Sequence, residues 1–204
     1  MPIHDTPAHL PVTRTDVIFD GRVWSVRRDL VQFPDSAVQR DVQVHPGAVV
    51  VLPLDDDDRV LMISQYRHPV SARLWELPAG LLDVADESPL ATARRELAEE
   101  AGYRAEHWAT LLDVVTSPGG STERVRIYLA RGLEPLPEGR WQTGEAEEAD
   151  LPQEWVDLDD ACDQALAGHL HNASTVAGLL AAQASRRAGW GTLRPADAPW
   201  ELQP

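Results

Sequence analysis

A single cysteine, Cys162, stands among 204 residues, so no disulfide can close within the chain. The opening stretch MPIHDTPAHLPVTRTD has neither the apolar core of a secretory signal nor the basic, serine-rich pattern of a transit peptide. No apolar run approaches the roughly 20 residues that cross a bilayer, and these absences together point to a cytoplasmic protein with no membrane partner. Basic residues are also scarce: 18 lysines and arginines face 33 aspartates and glutamates, for a formal net charge of -15. That surplus argues against broad contact with nucleic-acid phosphates. A protein of this charge that handles phosphates needs cations between itself and its substrate.

What is present fits one buried core with a small appended subdomain, since 43% of the residues are hydrophobic. Residues 16–33 alternate in the manner of strands, PDS turns the chain, and AVQRDVQV returns it, which predicts an N-terminal β element over residues 1–45. The apolar stretches GAVVVLPL and RVLMISQYR flank PLDDDDRV, a solvated hairpin turn in which Asp55 to Asp58 carry no catalytic role. Ser88 as cap, Pro89 in the first turn, the spacing of Leu90, Ala93, Leu97 and Ala101, and the stop at Gly102 predict a helix over about 88–101. Strands are expected at 106–116 and 124–131, then a loop over 132–150. A short strand and a helix follow within EWVDLDDACDQALAGHL, and an amphipathic helix over ASTVAGLLAAQASRR ends near Gly189. The tail, 191–204, shows no regular pattern. The pattern is α+β, with the main domain spanning 46–190.

The predicted helix raises an electrostatic question. Glu96, Glu99 and Glu100 share one helical face, where each exposed like-charge pair costs roughly 0.2–0.5 kcal/mol. A solvated face offset by Arg94 and Arg95 is one answer. The other is a divalent cation: Mg²⁺ or Mn²⁺ prefers hard oxygen ligands and bridges carboxylates to phosphates.

Gly80, Glu87, Arg95, Glu96, Leu97, Glu99, Glu100, Gly102 and Tyr103 together resemble the signature of the Nudix hydrolase family. Six residues separate Gly80 from Glu87 where the family has five, which reads as a one-residue loop insertion with Glu87 kept in place. The resemblance implies an α/β/α sandwich around a mixed sheet, plus the N-terminal β subdomain. It also implies Glu96 and Glu100 as principal metal ligands, Glu99 on a further metal or water, and the main-chain oxygen of Ala79 completing the site. Arg95 would hold the cluster and the loop through charge-assisted hydrogen bonds, one of them to Glu87.

LWELPAGLLD before the motif and TSPGGSTER after it are similar to the ADP-ribose pyrophosphatase branch, whose marker proline matches Pro118, sixteen residues past Gly102. An ordinary turn is the plain alternative for SPGG. The branch implies a homodimer in which Arg40 and Asp41 reach the partner's ligand, while Arg67, Leu81, Ser117 and Glu123 act from their own subunit. Surface ion pairing is the bland alternative for Arg40 and Arg67. Trp24, Tyr66 and His45 stay unassigned, because single aromatics and histidines more often serve structure. A glutamate in the loop TGEAEEADLPQEW would act as general base, Glu147 first and Glu148 next, although composition alone describes an acidic loop. The implied reaction turns ADP-ribose and water into AMP and ribose 5-phosphate. The rivals are hydrolysis of another ADP-sugar, sugar nucleotide or dinucleotide, and a non-catalytic ADP-ribose-binding protein.

Overall fold

The computed structural model describes residues 3–140 and 151–202. The alternating N-terminal segment forms an antiparallel meander of β1 (Val12–Asp20), β2 (Ser25–Phe33) and β3 (Ser36–Val44), a sheet of its own. Its buried carboxylate, Asp29, accepts from Thr15 Oγ1 at 2.7 Å and from Arg27 Nε at 2.9 Å. The far end of β3 joins the rest of the molecule, where Gln43 donates to Gly120 O at 2.8 Å and accepts from Thr122 N at 2.9 Å.

β4 (Ala48–Pro53) and β5 (Arg59–Arg67) explain the two apolar runs. The aspartate turn between them is local: Asp55 Oδ1 accepts from the amides of Asp57 at 3.0 Å and Arg59 at 2.8 Å, and Asp55 Oδ2 meets Arg59 Nε at 2.9 Å. It does not make a regular hairpin. Past one bridge from Leu54 to Val60, the two strands part into different sheets. The reason is that β4 runs parallel to a later strand, leaving β5 to pair elsewhere.

That later strand is reached through β6 (Ala72–Glu76), β7 (Ala79–Leu81), helix α1 (Pro89–Glu96) and β8 (Tyr103–Val115); it is β9 (Arg124–Pro135). β10 (Gln153–Asp157), α2 (Leu158–Leu166), α3 (Ala173–Arg187) and β11 (Arg194–Pro195) complete the chain. The mixed five-stranded sheet runs β11-β8-β9-β4-β7, and a three-stranded antiparallel sheet runs β10-β5-β6.

Strand period places alternate residues on opposite faces. Val50 and Leu52 of β4, with Ile127 and Leu129 of β9, pack on Leu158, Cys162, Leu179 and Ala182 of α2 and α3. Val49 and Val51, with Tyr128 and Ala130, pack on Ala93 of α1 and on Leu97 and Ala101 just beyond it. Both faces of β4 are covered, which is why its sequence is a continuous apolar run. The result is the expected α/β/α sandwich. Cys162 is fully buried, and burial pushes its thiol up to about 11, consistent with a packing role.

The tail departs from expectation. Sequence periodicity is silent there because the order comes from distant partners. β11 pairs with β8, Thr110 Oγ1 donates to Pro195 O at 2.9 Å, and Arg126 NH1 donates to Ala198 O at 2.7 Å. Arg126, with only 4% of its side chain exposed, also grips Asp113 through two bonds of 2.7 and 3.0 Å and lies 4.9 Å from the Trp200 ring centre. Burial works to lower the pKa of this arginine, but Asp113 and Tyr128 together outweigh it and the net direction is upward. Arg126→Met leaves Asp113 to Arg194 alone, whose NH1 lies 2.9 Å from Oδ2, and takes the donor from the carbonyls of Ala198 and Pro199, so stability measured by urea unfolding should fall by about 2 kcal/mol. An unchanged midpoint would show that the tail is held without it.

Candidate active site

The site is built where β7 meets α1. The pair Val50 and Ala79 lies between ladder bonds, because the flanking bond runs from Val51 N to Pro78 O at 2.8 Å. Ala79 therefore turns its own N–H and C=O away from β4. Its N–H donates to Glu100 Oε2 at 2.7 Å.

Helix α1 begins as the sequence predicts, with Ser88 Oγ accepting from Ala91 N at 3.2 Å and Pro89 in the first turn. It ends differently. After Glu96 the chain widens into a π-helical turn over Leu97–Ala101, closed by Gly102 at φ 76°. Leu97, Ala98 and Ala101 stay buried while Glu100 reaches the Ala79 amide, and the Glu100 carbonyl accepts from Gln153 Nε2 at 2.8 Å. Side-chain pattern alone does not distinguish such a turn from α-helix, because the same face is buried either way.

Arg95 offsets much of the like-charge cost. Its NH1 donates to Glu96 Oε1 at 2.6 Å and to Glu99 Oε2 at 2.9 Å; its Nε and NH2 meet the two oxygens of Glu87 at 3.2 and 3.0 Å. These bonds, that to Glu87 foremost, raise the Arg95 pKa further, and the same bond holds the Glu87 carboxyl below the ordinary carboxylate range. Glu87, not Asp86, meets the arginine. Asp86 takes up the extra loop residue in a left-handed conformation, φ 64°, within a turn closed by Glu87 N to Val84 O at 3.2 Å.

Glu96 and Glu100 are buried at 7% and 4% exposure. Glu96 lies against the backbone of Gly80, where an added Cβ would sit 1.9 Å from Glu96 Oε1, so any larger residue would displace that carboxylate. Among the described residues no three acidic, histidine or cysteine side chains enclose a ready cation cage; the Arg95 guanidinium stands between Glu96 and Glu99. The donor chemistry nevertheless suits a hard cation: carboxylate oxygens crowd a single arginine at the foot of a cleft.

That cleft, about 840 Å³, is lined by Ala79, Leu81, Arg67, Arg95, Glu96, Glu99, Glu100 and Glu123. Arg67 is fixed by the buried Glu76, with NH2 to Oε2 at 2.7 Å. Glu123 accepts from the Thr116 hydroxyl and lies 3.7 Å from His45 Nε2, while His45 Nδ1 accepts from Gly47 N at 3.1 Å. Three candidates do not line this cleft. Arg40 donates to Gln39 O at 3.0 Å and lies over Phe33; Asp41 is bound by Arg28 at 2.6 and 2.8 Å; the Ser117 carbonyl closes a turn onto Gly120 and Ser121. Glu147 and Glu148 lie outside the described residues. His45 and Trp24, unassigned from sequence, line the cleft, as do Asn172, Ser174 and Thr175 at the start of α3. The helix cap was legible, but nothing local says which way a helix end will face. Glu76 does carry a sequence signal, because a lone charge inside LWELPAG needs a buried partner.

The NUDIX domain model matches residues 44–179. An ADP-ribose pyrophosphatase of Mycobacterium tuberculosis is 42% identical over 93% of this chain and 90% of its own length. A methanol dehydrogenase activator of Bacillus methanolicus is 40% identical over 59% of this chain and 65% of its own. The crystal structure of an ADP compounds hydrolase shares the fold, with a TM-score of 0.74 at 22% identity over 92% of this chain and 99% of that one. With the glutamate helix, the glycine loop and the sandwich in place, this chain belongs to the NUDIX family.

Proposed function

We propose that this protein hydrolyses the diphosphate bond of ADP-ribose, giving AMP and ribose 5-phosphate, with Mg²⁺ or Mn²⁺ as cofactor. The observation that carries the chemistry is the burial of Glu96 and Glu100 against the Ala79–Gly80 backbone at the foot of the cleft. The substrate rests on the 42% identical mycobacterial relative, which is named for that activity. A cleft of about 840 Å³ is within the ordinary size for a small-molecule ligand.

Glu96, Glu99, Glu100 and the Ala79 carbonyl would hold the metal, which when bound neutralises diphosphate charge and acidifies the attacking water. Glu147, with Glu148 as the neighbouring alternative, takes the proton from that water. Arg95 positions Glu96 and Glu99 and ties the loop through Glu87. Arg67 and Glu123 face the ligand, Leu81 supports it, and Ser117 shapes the adjoining turn. The protein acts in the cytoplasm as a homodimer, with residues 1–45 as the arm. β1 leaves Val17, Ile18 and Phe19 exposed at 70%, 52% and 52%, an apolar surface suited to a second copy, and Arg40 and Asp41 would reach the partner's cleft.

Product analysis with Mg²⁺ and with Mn²⁺ across ADP-ribose, ADP-glucose, NADH, diadenosine polyphosphates and 8-oxo-dGTP tests the reading. Preferential release of AMP and ribose 5-phosphate from ADP-ribose is expected; preference for another substrate overturns the substrate and keeps the chemistry. Glu100→Gln, nearly isosteric, should cut turnover by orders of magnitude with the fold intact, whereas Glu147→Gln should lower kcat more than it alters KM. Wild-type turnover in the first variant would remove Glu100 from the reaction.

Acid should loosen the loop. The Glu87 pKa is depressed in the folded state, so the stability it contributes is fully present above its ordinary value of 4.5 and is lost as pH falls through the lower folded value. Wild type and Glu87→Gln should therefore differ in thermal stability above that pH and converge below it. A constant gap at every pH would dissociate Glu87 from the effect.

A further inference from the structure

Ala79 is presented to the carboxylates by a short segment, Leu77–Pro78–Ala79, that lies between two helices. Pro78 has no N–H, so the segment has only two backbone donors. Ala79 N donates to Glu100 on one side. Leu77 N donates to Thr175 Oγ1 at 3.0 Å on the other. Thr175 and Leu77 are each 1% exposed, so this bond is shielded from water.

The first turn of α3 is itself fixed. Asn172 Oδ1 accepts from Thr175 N at 2.9 Å, and one turn on, Gly178 lets Leu77 pack so closely that an added Cβ would stand 3.0 Å from Leu77 Cδ1 and 3.3 Å from Ile127 Cγ2. The same turn lines the cleft through Asn172, Ser174 and Thr175. The helix thus holds the segment by one buried hydrogen bond and one close packing contact, across the sheet from the glutamates.

We propose that Thr175 is a positioning residue for the metal site: its hydroxyl anchors Leu77 N and thereby sets where Ala79 presents its backbone to Glu100 and to the cation. This rests on the metal reading given above. Val in place of Thr keeps the shape and removes the acceptor, leaving a buried N–H without a partner. The segment is then free to relax toward another acceptor and to carry Ala79 with it.

The test is a titration of Mn²⁺ followed by the electron paramagnetic resonance of the free ion, alongside metal-free thermal unfolding, for the full chain and for Thr175→Val and Thr175→Ser. The valine variant should bind Mn²⁺ about tenfold more weakly, the lower end of the roughly 10- to 100-fold cost of losing a partner that orients a ligand. The serine variant, which keeps the hydroxyl, should bind as wild type does. A valine variant that melts earlier yet binds Mn²⁺ normally overturns the inference, because Thr175 would then serve the core alone. If that variant does not fold, Asn172→Ala loosens the same turn from its half-buried side: weakened Mn²⁺ binding supports the inference and unchanged binding overturns it. Failure of the unaltered chain to bind Mn²⁺ overturns the metal reading, and this inference with it.

Discussion

Carboxylates withdrawn from water must find positive charge or strong donors, and the surroundings of Glu96 and Glu100 follow from that need. One guanidinium, Arg95, bonds Glu87, Glu96 and Glu99, and one backbone amide, Ala79 N, bonds Glu100. The arrangement requires a helix to project the glutamates, a glycine to let Glu96 lie on the backbone, and a loop that brings Glu87 back across eight positions of sequence. It leaves carboxylate oxygens concentrated at the foot of a cleft, where a hard divalent cation would be the natural complement.

The sandwich places that cluster at an edge. β7 is the last strand of the five-stranded sheet, so Ala79 has no further strand beyond it to occupy its outward backbone groups. Such an edge usually invites unwanted pairing. Here α1 covers it, and the Glu100 carboxylate takes the Ala79 amide that a neighbouring strand would have taken. β4, buried on both faces, supplies the rigid backing for this edge: α1 rests on Val49 and Val51, and α2 and α3 pack on the opposite face. The carboxylates of Glu96, Glu99 and Glu100 are thereby carried on a well-packed helical segment.

Sequence and structure agree where the information is local. Ser88, Pro89 and Gly102 bounded the glutamate helix, the β4 run declared itself buried, and the spacing of the motif carried Glu96, Glu99, Glu100 and Arg95 into one cluster. Agreement thins where partners are distant. The π-helical turn is accompanied by contacts of Glu100 with Ala79 and Gln153, and the tail is held by Arg126 and Thr110, far away in the chain. The aspartate turn shows the same limit: its local bonds were readable, but the parting of β4 and β5 into separate sheets depends on β9.

By itself, then, the sequence determined the family, the α+β pattern and the acidic face, because periodicity, capping and motif spacing are properties of neighbouring residues. Only the tertiary structure decided that Asp86 takes up the extra loop residue in a left-handed turn, that Arg67 is held by Glu76, and that the first turn of α3 grips Leu77. Those choices compare alternative partners across space, and the energy that separates them exists only once the chain has packed.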